Sequence, residues 1–210
     1  MRLNVPLVKQ PSKLDCGPAC ATMLLRFLGI DVSTNQIKQI IKKQGRICAP
    51  QLALAIEKCL PDKLHFSFFN HEYFDESFNS LNKKAMIKYI ESLKAVNKLD
   101  EGFIENLKKL IATTAKVEFK LITTKVIRNI LSKGCPIITL VSVADFRKTK
   151  LAEWRGHFIV LTGYDGLFFY YNDPHWEKTR FGRHRIEQEH LLTSICGTRF
   201  PAIMWGQDAC

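Results

Sequence analysis

The sequence predicts an α+β protein in which a helical N-terminal part is packed on a twisted antiparallel sheet supplied by the C-terminal half. Three stretches carry this reading. Residues 10–29, QPSKLDCGPACATMLLRFLG, place Ala21, Leu24, Leu25 and Leu28 at the i, i+3, i+4, i+7 spacing of a helix with one buried face. Residues 136–142, PIITLVS, are a continuous apolar run of strand length, as a central strand requires. Residues 157–162 and 167–172 are two strand-like runs separated by Gly163, Tyr164, Asp165 and Gly166, which is a hairpin signal.

In chain order, residues 1–9 are expected to be extended, as an edge strand. The first helix has Pro18 just inside its start, where a missing N–H costs nothing, and Gly29 just past its end. Ser33 and Thr34 offer an N-cap to a short helix whose buried face is Ile37, Ile40 and Ile41, ending near Gly45. Pro50 opens a third helix, with Leu52, Ala55, Ile56 and Cys59 on one face, and Pro61 ends it. Residues 65–68 alternate like a strand. Residues 70–82 form a polar and aromatic connection, whose His71, Tyr73, Phe74 and Phe78 read as packing beneath a long loop, with the wall of a groove as the alternative. Helices over about 83–96 and 101–115 complete a helical insertion at about 70–116 within a single domain, 1–210. A strand at 117–122 precedes a helix capped by Thr123 or Thr124 and ended by Gly134. After the apolar strand, 144–155 reads as a polar connection, 175–185 as a basic loop, 186–195 as a helix and 201–205 as a returning strand.

Composition bounds the function class. With 46% hydrophobic and 24% charged residues the chain is ordinarily globular, and no apolar run reaches the length of a membrane span. The N-terminus MRLNVPLVKQ lacks the apolar centre of a signal peptide. Seven cysteines without a CxxC pair read as free thiols in a reducing compartment, so a cytoplasmic location is expected. Cys16 and Cys20 are one helical turn apart, but no Cys/His pair completes a metal site, and no cofactor is called for. The net charge of +11 is concentrated in residues 1–59, which hold nine Lys/Arg against three Asp/Glu. Such a face can attract an anionic partner, the plainer reading being a solvated lysine-rich surface. No motif of a nucleic-acid-binding module is present.

The candidate site joins two distant segments. Cys16 falls at the start of the first helix, where unpaired N–H groups and the macrodipole favour a thiolate. Gln10, six residues upstream, can return its amide to the same spot as a hydrogen-bond donor. A nucleophile with a depressed pKa beside a donor is half of an acyl-transfer site. The other half comes from the hairpin. A three-residue loop of Tyr164, Asp165 and Gly166, with Gly166 left-handed, pairs Gly163 with Leu167 and sets His157 opposite Asp173 on one face. A two-residue turn would shift the register by one and separate them. In the favourable register Asp173 holds the ring of His157, and His157 takes the proton of Cys16 as general base.

The segments QPSKLDCGPACATMLLRFLG, ILSKGCPIITLV, GHFIVLTGY and YYNDP resemble those of the papain-like C39 peptidase family and its relatives. Within that group the layout is similar to a branch named for a guanylyl cyclase domain. The resemblance covers about residues 3–205 and implies a papain-like fold, with Cys16 as nucleophile, His157 as base, Asp173 as orienter and Gln10 as oxyanion donor. It implies a cysteine-dependent hydrolase or acyl transferase acting on a peptide or protein substrate through a thioester. No transporter or membrane part accompanies these motifs, unlike the leader-processing members. Two other readings are open: the nucleotide cyclase of the branch name, and a non-catalytic interaction module. The first has no paired metal-binding carboxylates or phosphate-cradling glycine loop behind it. The second leaves the conjunction of Cys, His, Asp and Gln unused.

Overall fold

Seven strands form one sheet in the order β2-β1-β7-β3-β4-β5-β6, in a computed structural model that describes residues 1–42, 45–70, 72–96, 101–150 and 155–206. The strands are β1 (Leu64–Phe68), β2 (Lys116–Phe119), β3 (Ile137–Ser142), β4 (Gly156–Tyr164), β5 (Phe168–Asp173), β6 (Gly182–Glu187) and β7 (Ala202–Gly206). All neighbouring pairs are antiparallel except β1 with β2, which is parallel. The helices are α1 (Cys16–Phe27), α2 (Thr34–Ile41), α3 (Ala49–Cys59), α4 (Lys83–Val96), α5 (Glu101–Ala112), α6 (Thr124–Ser132), α7 (Val143–Arg147) and α8 (Gln188–Cys196), with a 3-10 turn at Glu76–Ser80.

The sheet divides two apolar cores, and strand alternation shows how. Ile138, Phe158, Val160, Ala202 and Met204 face α1, α3 and α5, whereas Ile137, Val141, Ile159, Leu161 and Ile203 face α6, α7 and α8. Both faces are covered, which is why residues 136–142 are apolar without alternation. Local chemistry ends the helices where the sequence places its signals. Ile30 N–H reaches the Leu25 carbonyl at 2.9 Å around a left-handed Gly29. Ser33 accepts from Gln36 N–H at 3.3 Å while the Gln36 side chain accepts from Ser33 N–H at 2.8 Å, a capping box for α2. Thr123 caps α6 through Val126 N–H at 3.2 Å. No helix of the described residues is long and apolar enough to cross a membrane.

Several expectations give way. The N-terminal edge strand reduces to one bridge, Arg2 with Gly163, because Pro6 interrupts any longer ladder. The polar connection after β3 contains α7, and the basic loop contains most of β6, whose six pairings with β5 are set by its neighbour rather than by its own alternation. Tyr73, Phe74 and Phe78 lie in an aromatic cluster with Phe68 and Phe200, Phe74 and Phe78 being buried, and His71 lies outside the described residues. Cys16, Cys20, Cys59 and Cys196 are free thiols, but Cys135 is disulfide-bonded, so free thiols throughout, and the reducing compartment expected from them, do not hold at Cys135.

Candidate active site

The site forms where the start of α1 meets the start of β4 and the end of β5. Cys16 is the first residue of α1. Its turn is braced from upstream: the buried Asp15 carboxylate accepts from Ser12 Oγ at 2.7 Å and from Lys38 Nζ at 3.1 Å, tying the loop to α2. Gly17 allows the close approach of Ile47, since a Cβ there would lie 2.7 Å from the Ile47 Cδ1. Gln10 is buried, and its backbone N–H donates to the Pro174 carbonyl at 2.7 Å, which holds this loop against the residue after Asp173. Its side-chain Nε2 donates to the Ser12 carbonyl at 2.6 Å.

The hairpin reaches its register by a different route from the expected one. Asp165 N–H bonds the Phe168 carbonyl at 3.0 Å, and the Asp165 carboxylate accepts from the N–H groups of Leu167 and Phe168, so the turn holds two residues. Gly166 is not left-handed. Gly163 faces Tyr170 and Tyr164 faces Phe169, a register that, continued, sends the His157 and Asp173 side chains to opposite faces. The register then shifts between Leu161 and Gly163, so Leu161 faces Tyr171 and Val160 faces Asn172. Thr162 is the extra residue of this bulge. One inserted residue restores the parity, and His157 and Asp173 share a face diagonally rather than directly opposite. The N-terminal segment seats on the bulge through Leu3 N–H to the Thr162 carbonyl at 2.6 Å.

Here His157 Nε2 and Asp173 Oδ1 are 2.8 Å apart, and the His157 ring also hydrogen-bonds the Cys16 side chain. Burial of the sulfur alone would push the Cys16 thiol up. The hydrogen bond and charge of His157, with the backbone N–H groups of Phe158 and Gly17, outweigh it and hold the thiol below its ordinary value. Burial likewise opposes protonation of His157, but the hydrogen bonds its ring donates to Asp173 and Cys16, and then their charges, raise it to about 9. Asp173 is fully buried; burial works against its ionised form, yet His157, the Arg147 guanidinium and the His175 backbone N–H keep its pKa low. Both shifts favour the thiolate and imidazolium forms of the pair.

The model of the Peptidase_C39-like family matches residues 2–194. The chain belongs to that family. A function of the cysteine-peptidase type follows from this membership, and the arrangement of helices on one sheet is the papain-like one. This C39-like chain is similar in structure to a protein described as a C39-like peptidase from Bacillus anthracis, with a TM-score of 0.55, 15% identity, and 97% and 95% of the two chains covered. It is also similar to the peptidase domain of Streptococcus ComA, a bifunctional ABC transporter involved in quorum sensing, with a TM-score of 0.50, 15% identity, and 98% and 100% covered. No curated protein matches it.

Two neighbours of the site escaped the sequence reading. Arg147 Nη2 lies 2.7 Å from Asp173 Oδ2, and His175 contributes its N–H to Asp173 Oδ1 at 2.9 Å while its ring meets that of His157 at 5.7 Å. The YYNDPHW string could have pointed to His175 by adjacency. Nothing local marks Arg147, which sits in a helix too short to show a period.

Proposed function

We propose that the C39-like chain is a cysteine-dependent hydrolase of peptide or amide bonds that works through a thioester. The single observation that carries the reading is the meeting of Cys16, at the start of α1, with a His157 ring held by Asp173 at 2.8 Å, an arrangement that lowers the thiol and raises the imidazole to about 9. Cys16 Sγ attacks the carbonyl carbon, and the proton held on His157 passes to the leaving amine as the C–N bond breaks. Water then attacks the thioester, gives its proton to His157, and the sulfur departs as thiolate, regenerating the pair. Asp173 keeps the ring oriented and its charge balanced. Gln10 is the oxyanion donor: an amide nitrogen carries two hydrogens, and the bond to Ser12 uses one. An amine in place of water would make the same groups an acyl transferase. The nucleotide-cyclase alternative gains no observation of its own.

The test is turnover of peptide, ester and thioester probes by the whole chain. Cys16→Ala should abolish it. Gln10→Ala should lower it by roughly a hundred- to a thousand-fold, the usual loss for one oxyanion donor, while leaving thiol labelling largely intact. EDTA should change neither. Metal-dependent GTP turnover that survives Cys16→Ala, with no acyl probe ever processed, would overturn the reading.

A further inference from the structure

We propose that Arg147 is a positioning residue of the site, keeping the Asp173 carboxylate ionised and turned with Oδ1 toward His157. The inference rests on the reading of Cys16, His157 and Asp173 given above and adds a residue that touches neither substrate nor sulfur.

Asp173 has no exposed surface. Its Oδ1 serves His157 Nε2 at 2.8 Å and His175 N–H at 2.9 Å, and its Oδ2 serves Arg147 Nη2 at 2.7 Å. Without the guanidinium, Oδ2 would be a buried carboxylate oxygen stripped of its partner, relieved only by rotation of the carboxylate or by uptake of a proton. Both responses weaken the hold on His157. Charge gives the same answer. With Cys16 and His157 as thiolate and imidazolium, thiolate and carboxylate are balanced by imidazolium and guanidinium, so removing Arg147 leaves one net negative charge beside the buried Asp173, where protonation is the cheapest correction.

The fold delivers Arg147 to this place. β3 runs antiparallel to β4 with Val141 opposite His157, and α7 follows β3 without a break. Phe146 packs edge-on against Tyr171 at 5.4 Å. His190 Nε2 bonds the Asp145 carbonyl at 2.9 Å and Val143 N–H bonds the Arg155 carbonyl at 2.8 Å. The Arg147 guanidinium lies 5.0 Å from the Phe146 ring, with 22% of its side chain exposed. The titratable and charged groups around Asp173 are Cys20 from α1, His157 from β4, Tyr171 from β5, His175 from the loop after it, and Arg147 from α7, with Cys16 reaching it through His157.

The experiment is the pH dependence of Cys16 alkylation by iodoacetamide, read by peptide mapping in the whole chain, with a thermal melt of each variant. Arg147→Met should move the low-pH onset of alkylation upward by about one unit, roughly a tenfold loss of rate below the new onset. Arg147→Gln, which keeps a donor for Oδ2 and loses the charge, should move it in the same direction and serves if the Met variant does not fold. Arg147→Lys should bring the onset most of the way back. A folded Gln or Met variant with a lowered melting temperature and the wild-type onset would show that Arg147 only braces α7, and the proposal would fail alone. A wild-type chain whose Cys16 alkylates only in the ordinary thiol range would instead remove the reading of the site itself.

Discussion

Cys16 and Cys20 stand one turn apart on α1, and their surroundings shift the two thiols in opposite directions. Both sulfurs are closely packed, and burial pushes both thiols up. Cys20 stays there, well above its ordinary value, raised further by the negative charges of Cys16 and Asp173. Cys16 is brought below its ordinary value by the His157 ring and by two backbone N–H groups. Helix position alone does not lower a thiol. The contrast comes from a hairpin more than a hundred residues away, whose bulge sets His157 and Asp173 on one face and whose His157 lowers Cys16.

The largest way to break this contrast is to remove His157. His157→Ala should convert Cys16 into a second Cys20, with alkylation at neutral pH falling to that of a buried thiol and probe turnover falling by roughly 10⁴-fold or more, as in other triads that lose a member. Rapid alkylation of Cys16 in the folded variant would give the credit to the helix start instead. A second change comes from pH. His157 is raised from 6.5 to about 9. Its contribution to stability is therefore complete below about 6.5 and is lost as the pH rises through about 9, and turnover should fall over that upper limb as the imidazolium loses the proton it owes the leaving group. A profile that climbs steadily through pH 10 would contradict it.

Gly163→Ala tests the contrast from a distance. A Cβ at Gly163 would strike the Met1 carbonyl oxygen and lie 2.7 Å from the Arg2 Cα, which costs about 1–3 kcal/mol as overpacking unless the N-terminal segment leaves the bulge. The expected result is a lower melting temperature with slower Cys16 alkylation, since the bulge sets the parity of His157 and Asp173. The smallest effect is a control. Ser33→Ala removes the capping box of α2 and should cost about 1 kcal/mol, while leaving Cys16 far ahead of Cys20 in reactivity. A change in that order would mean that global stability, rather than His157, sets it.

These particulars show what can be read in the chain itself. The α1, α2 and α6 helices carry a buried period with local end signals, a left-handed Gly29 after α1, the Ser33 cap of α2, and the Thr123 cap and left-handed Gly134 of α6, so local chemistry determines them. Cys16 and His157 stand at element starts that the patterning marks. The turn and the register are harder, because a two-residue turn and a bulge at Thr162 compensate each other, and an expected three-residue loop gives the same parity by another path. β6 was hidden because its arginines and histidine alternate with no apolar face until Ile186. The parallel pairing of β1 and β2 spans the intervening helices and has no local signature. Arg147 is invisible for the same reason: its meaning lies in a partner 26 residues away.

The most direct measurement of the central claim is the order in which the thiols of the folded chain react with limiting iodoacetamide near neutral pH, followed by peptide mapping. Cys16 should be modified first and Cys20 last, with Cys59 and Cys196, whose thiols are raised by burial, in between. Modification of Cys48 or Cys196 while Cys16 stays intact would contradict the assignment of Cys16 as the nucleophile.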